Sequence, residues 1–354
     1  MSNIAKIQKA MEEAHLPALL LTAGADRRYA SGFDAEGSVL ILPQKAWLIT
    51  DSRYIEAAGE AVKDAEVLMS SSKDPEPEIL RRLLKENGIS AVGVQEESLS
   101  YAAYNRLQKK LEMEFLSDQK LTLTLRQRKE PWEVESITAA QRIAEKALEI
   151  VLGILREGIT ERQAAAELEY QMARNGSEGL AFDTICIFGE NTSRPHGVPT
   201  DRRLKSGDFI TMDFGCKVNG YCSDMTRTVA FGSANDEMKR IYELVLRAQL
   251  AGIEAARAGI PGKEVDAAAR SIIEDAGYGE YFGHGLGHSV GLYIHEGPNA
   301  SPKEERILPS GAVITCEPGI YLPGRFGVRI EDMILLTEDG NENLTRAPKE
   351  LIIL

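Results

Sequence analysis

"LKSGDFITMDFG", residues 204–215, and "LPSGAVITCEPG", residues 308–319, are two versions of one segment lying 104 positions apart. The match sets Asp213 on Glu317 and Gly215 on Gly319, so a carboxylate recurs at the same point of each copy. Upstream, "REGITERQAAAELEYQMARNG" from Arg156 matches "RAGIPGKEVDAAARSIIEDAG" from Arg257 at an offset of 101, placing Gly158 on Gly259 and Gly176 on Gly277. Each half reads as a turn, a helix and then a strand. Two copies do not make a solenoid. They imply a pseudo-twofold domain, with a site that draws side chains from both halves.

Each half continues into a hairpin. "DFITMDFGCKVNGYCSDMTRTVAF", residues 208–231, has two strands around Asn219-Gly220, a dipeptide that accepts the left-handed dihedrals of tight turns. That turn sets Gly215 opposite Asp224 and leaves Asp213 on the same face, diagonally across the ladder. A register shifted by one loop residue would put the two aspartates directly opposite. "AVITCEPGIYLPGRFGVRIEDMIL", residues 312–335, repeats the device around Pro323-Gly324 and brings Glu317 roughly opposite Glu331. The period of two aims Arg329 to the same side as Glu331.

Any one of these acids alone reads as a solvated strand position. Four of them lie beside apolar strand residues (Ile210, Met212, Phe214; Val313, Ile314, Ile334), where an unpaired carboxylate is costly to bury. Two divalent cations would balance the four charges, and an oxygen-rich set suits Mn²⁺ or Mg²⁺.

Three of the five histidines fall in "GHGLGHSVGLYIHEGP", residues 283–298. His284 and His288 stand four apart, as in a zinc-binding HExxH helix. The glutamate is missing, however, and Gly283, Gly285 and Gly287 would each cost a helix about 1 kcal/mol relative to alanine. In an extended or turning backbone at most one of the two is a direct ligand. His196 in "SRPHGVP" and His295 in "HEGP" read as loop histidines, and His15 as structural.

The rest of the chain bounds the answer. Its 354 residues allow two domains, and 54 acidic against 41 basic residues, without a dense basic cluster, exclude a nucleic-acid footprint. The start lacks a signal-peptide pattern and no 18-residue apolar run occurs, so a cytoplasmic protein without a membrane partner is expected. The glycosylation patterns at Asn191 and Asn343 then read as chance. Cys186, Cys216, Cys222 and Cys316 form no CxxC pair and read as small buried hydrophobes. Before residue 125, apolar runs at 17–22, 38–43, 46–50, 65–70 and 91–95 alternate with helical stretches near 3–14, 52–62, 76–87 and 100–112, the pattern of an α/β domain. Pro131 suits the first turn of the long helix that follows. The boundary is expected near 127.

Taken together, these motifs resemble the M24B-type pita-bread metallopeptidases, the Xaa-Pro aminopeptidase and prolidase branch. The likeness rests on the aspartate pair in "MDFGCKVNGYCSDMTRT", on "HGLGHSVGLYIHEGP", "CEPGIYLPG" and "VRIEDM", and spans the chain. It implies an α+β protein, with a creatinase/prolidase-like α/β domain over 1–127 and a pseudo-twofold catalytic domain over 128–354. It also implies two divalent ions, Mn first, with Co, Fe or Zn accepted. Asp213 would bind one ion, Asp224 and Glu331 would bridge, and His288 with Glu317 would hold the other. Glu317, His196 and His295 would be catalytic, with His284 and Arg329 at the substrate. Short peptides with proline second are the implied substrates of a homodimer, as aminopeptidase or as dipeptidase. Methionine aminopeptidases share the core ligands but generally lack such an N-terminal domain. A metal-free peptide-binding or creatinase-like protein would use the same cavity, and the complete ligand set argues against it.

Overall fold

Short apolar runs become the strands of a mixed six-stranded sheet in the first part of the computed structural model, which describes residues 1–354. Contacts divide the chain into two compact units, Met1–Arg126 and Gln127–Leu354. In the first unit the strands are β1 (Leu19–Leu21), β2 (Ser38–Leu42), β3 (Lys45–Thr50), β4 (Glu66–Met69), β5 (Ala91–Val94) and β6 (Glu114–Ser117). Their order is β4-β3-β2-β1-β5-β6, with antiparallel pairing only between β1 and β2 and between β2 and β3. The unit's helices are α1 (Asn3–Glu13), α2 (Gly24–Ser31), α3 (Ile55–Ala61), α4 (Glu76–Glu86), α5 (Tyr101–Leu111) and α6 (Leu121–Arg126). β1 and β2 are buried along their whole length, which is why they read as continuous apolar runs rather than alternating ones.

Three of these elements, α2, α6 and β6, carry no clear local pattern. α2 and α6 are tied together by a buried ion pair, Arg126 Nη1 to Asp26 Oδ1 at 2.7 Å, across 100 residues. β6 is a four-residue edge strand that exists through its pairing with β5.

The second unit repeats one plan twice. The first half runs through α7 (Pro131–Leu152), α8 (Glu161–Arg174), β7 (Ile185–Phe188), β8 (Phe209–Phe214), β9 (Lys217–Val218), β10 (Tyr221–Cys222) and β11 (Met225–Ala230). The second half runs through α9 (Asp236–Ala255), α10 (Gly262–Asp275), β12 (Val313–Cys316), β13 (Gly319–Leu322), β14 (Phe326–Arg329), β15 (Asp332–Leu336) and β16 (Asn341–Asn343). Gly158 and Gly259, matched by sequence, both have φ of 84°, a left-handed value that a side chain would oppose. Their amides donate at 2.9 Å to Leu204 and Leu308, which are themselves matched. Thr160 and Gln163 close a capping box at the start of α8.

The hairpin registers follow the turn chemistry. Met225 lies opposite Phe214 and Tyr221 opposite Val218, so one register runs through the turn at Asn219-Gly220 and sets Gly215 at the level of Asp224. Only glycine fits there, because a Cβ on Gly215 would fall 1.9 Å from the Ser223 carbonyl oxygen. In the second hairpin Cys316 faces Asp332 and Gly319 faces Arg329. Glu317 is therefore level with Glu331, and the loop holds three residues, Pro323, Gly324 and Arg325. Gly324 has φ of 71° and the Arg325 amide donates to Leu322 O at 3.0 Å, as in a proline-glycine turn.

Candidate functional site

The two hairpins meet along β11. The Glu331 amide donates to Thr226 O at 3.1 Å, and Thr228 Oγ1 donates to Arg329 O at 2.9 Å. This seam carries the second pair of acids onto the face that bears Asp213 and Asp224. Asp224 and Glu331 are only 4% and 1% exposed. Ligand atoms of Asp224, His288 and Glu331 lie within 4.8 Å of one another. His288 Nε2 is 3.5 Å from Asp224 Oδ2 and 3.4 Å from Glu317 Oε1. Asp213 adjoins them with one oxygen held by Arg329 Nη2 at 2.6 Å, while its other oxygen, Oδ1, is buried without any partner.

This arrangement cannot hold its full negative charge unaided. Burial first, then Glu331, Asp213 and Glu317, push the Asp224 carboxyl well above its ordinary range. Burial, Glu317 and Asp213 do the same to Glu331, and burial is the main cause that lifts Glu317 to about 7. Burial also holds His288 down to about 3, so its ring is neutral. Its Nδ1 lies 3.4 Å from the Ser289 carbonyl oxygen, which assigns the proton there and leaves the Nε2 lone pair facing carboxylate oxygens. Opposed lone pairs and an orphaned Oδ1 mark a place for cations. Four carboxylates and one imidazole, with no thiolate, fit hard or borderline divalent ions. The four cysteines are buried and free, as expected of small core residues.

Around the acids runs a set of supporting bonds. Thr226 Oγ1 donates to Glu331 Oε2 at 2.6 Å and accepts from Arg329 Nε at 3.0 Å. Thr315 Oγ1 donates to Glu317 Oε1 at 3.1 Å and accepts from the His288 amide at 3.0 Å. Arg329 Nη1 donates to Tyr321 Oη at 3.0 Å and to Pro195 O at 3.2 Å. His284 is bonded at both nitrogens, Nδ1 to Gly285 O at 2.8 Å and Nε2 to Tyr321 Oη at 2.9 Å. Burial holds His284 at about 4, so it is neutral, with Tyr321 donating to Nε2. Thr226, Thr315 and Tyr321 were not singled out from sequence, although the period of two places each on the face of a neighbouring acid: Thr226 with Asp224, Thr315 and Tyr321 with Glu317.

All of these acids and histidines line one cavity of about 1180 Å³. His196 and His295 stand at its exposed side, and neither ring bonds to another protein group. The His295 and His288 rings meet edge to face, with centroids 4.3 Å apart. No helix forms over 283–298. Gly287 there approaches β12 so closely that a Cβ would lie 2.0 Å from Thr315 O.

Fold and donor set together define a protein with a buried site suited to divalent metal ions. Comparison with known proteins specifies it further: the model of metallopeptidase family M24 matches residues 135–338, and that of the creatinase/prolidase N-terminal domain matches residues 3–128. The chain belongs to metallopeptidase family M24 and is a metallopeptidase. It is 40% identical over 353 residues to an Xaa-Pro dipeptidase of Pyrococcus horikoshii, covering 99% of this chain and 98% of that protein. The solved structure of an Xaa-Pro dipeptidase from Bacillus anthracis superposes with a TM-score of 0.95 at 40% identity, covering 99% of each chain. An X-Pro aminopeptidase from Thermotoga maritima superposes with a TM-score of 0.92 at 36% identity, covering 98% of this chain and 100% of that one. No helix of the protein is long and apolar enough to cross a membrane.

Proposed function

We propose that the protein is an Xaa-Pro aminopeptidase, hydrolysing the bond before a proline in second position and releasing the N-terminal residue of a short peptide. The observation that carries this reading is the convergence of buried, mutually repelling carboxylates and a neutral His288 in a cavity of about 1180 Å³. That volume exceeds the roughly 300–1000 Å³ of ordinary small-molecule sites, leaving room for a chain that continues past proline.

In this reading Asp213, Asp224, His288, Glu317 and Glu331 would together hold two divalent ions. Manganese suits so oxygen-rich a set, with cobalt, iron or zinc as substitutes. Two such ions, when bound, supply the positive charge that acidifies a water and polarises the scissile carbonyl. Glu317 takes the proton of that water and delivers it to the departing proline nitrogen. His196 and His295 donate hydrogen bonds to the carbonyl oxygen as negative charge develops on it. His284, its nitrogens already bonded, offers the proline ring an aromatic edge. Arg329 holds Asp213 in place and borders the same side. A cytoplasmic homodimer belongs to the same reading, supported by the family likeness.

A second reading, Xaa-Pro dipeptidase, is favoured by the names of the Pyrococcus and Bacillus relatives. The deciding experiment compares an Xaa-Pro dipeptide with an Xaa-Pro-Yaa tripeptide, using protein stripped by chelator and reloaded with Mn²⁺ or Co²⁺. Metal-dependent cleavage of the tripeptide supports the aminopeptidase, and cleavage of the dipeptide alone supports the second reading. Turnover of neither sinks both.

A further inference from the structure

Beyond the acids, the outer wall of the cavity is a single stripe of α8: Arg162, Ala165, Ala166 and Glu169, at spacings of three, four and seven. Two alanines keep this wall low. Its ends differ in charge balance. Arg162 Nη1 is paired with Asp201 Oδ2 at 2.9 Å, whereas Glu169, half-buried, has no cationic partner. α8 packs against β7, and the residues leading into β7 add two more polar groups to the cavity lining. Asp183 is exposed and unpaired. Thr184 is 5% exposed, and its buried hydroxyl finds no hydrogen-bond partner within the protein, a costly state unless a ligand supplies one. Both arginines of the cavity are already paired, Arg162 with Asp201 and Arg329 with Asp213. The outer chamber is thus left with uncompensated negative charge.

We propose that Glu169, Asp183 and Thr184 form a subsite for a cationic side chain of the peptide, a lysine ammonium or an arginine guanidinium. The proposal rests on the Xaa-Pro reading above. An ammonium brings three donors and no acceptor, which matches two carboxylates and a hydroxyl. A peptide can present that charge from its first residue or from the residue after proline.

The test measures kcat/KM of the Mn²⁺-loaded enzyme on two series, Xaa-Pro-Ala and Ala-Pro-Yaa, with the variable residue lysine, leucine or glutamate. The expected result is a lysine-over-glutamate ratio of about tenfold or more in one series, which also identifies the source of the charge. The ratio shrinks at 0.5 M NaCl, and it falls towards one in the Glu169→Gln/Asp183→Asn double variant. The salt series needs no variant, so it stands even if the double variant does not fold. Cleavage of the leucine peptides without charge preference, or a preference that survives the double variant, overturns the subsite alone. Failure to cleave any peptide of either series overturns the aminopeptidase reading and the subsite with it.

Discussion

Glu317 combines two duties in one carboxylate, since its proposed place on an ion and its proposed proton transfer both need the charged form to be accessible near neutral pH. Burial, opposed by Arg329 and the Thr315 hydroxyl, sets its carboxyl at about 7. Replacing Glu317 with glutamine keeps the shape and removes the proton acceptor. We expect kcat to fall by roughly 10²–10⁴-fold or more with an unchanged circular dichroism spectrum, and a near-normal rate would rule the assignment out. Thr226 works at one remove, bonding Glu331 and Arg329 through a single hydroxyl. Thr226→Val preserves volume but frees the Glu331 carboxylate and strands the Arg329 Nε proton. Isothermal titration should show metal affinity weakened by about 10–100-fold. Unaltered affinity would mean that the hydroxyl does not orient the carboxylate.

Secondary elements bring these residues together through turns and close approaches. The segment 283–298 is coil, and its glycines serve contact as well as helix avoidance, because Gly287 lies against the β12 backbone. Farther on, Glu304 ties down the stretch leading into β12. It accepts from the Asn299 amide at 3.2 Å and from Arg306 through the backbone amide at 3.0 Å and Nε at 2.8 Å. The Arg306 guanidinium is the main cause that holds the Glu304 carboxyl down at about 2. A depressed carboxyl stabilises the fold above its unfolded value, and that contribution disappears as pH falls from about 4.5 towards 2. Because Arg306 is half-exposed, Glu304→Gln should cost only about 1 kcal/mol at pH 7. Urea unfolding should show this deficit narrowing at pH 4. A deficit that widens on acidification would contradict the ion-pair account.

Over the whole molecule, a net charge of -13 makes the concentration of acids at one point a liability unless cations balance it. Chelation should therefore lower the melting temperature of the catalytic unit. Readdition of Mn²⁺ at about 100 times its dissociation constant should restore about 2.7 kcal/mol. A melting temperature indifferent to chelator and metal would show that no ion binds the native state. Much of this architecture was legible in the chain. The matched glycines Gly158 and Gly259 marked the duplication, Asn219-Gly220 set the first hairpin's register, and the period of two put Asp213 and Asp224 on one face. α2, α6 and β6 were not legible, because an ion pair across 100 residues and the pairing of an edge strand leave no local pattern. The same division holds at the site. Which acids share a hairpin face was determined by the sequence itself, since turn dihedrals and strand alternation are local properties. Only the tertiary structure decided that the two hairpins join along β11, that Arg329 neutralises Asp213 from 116 residues away, and that Tyr321 reaches His284 Nε2. Those contacts arise from packing between distant segments, and no spacing within either segment encodes them.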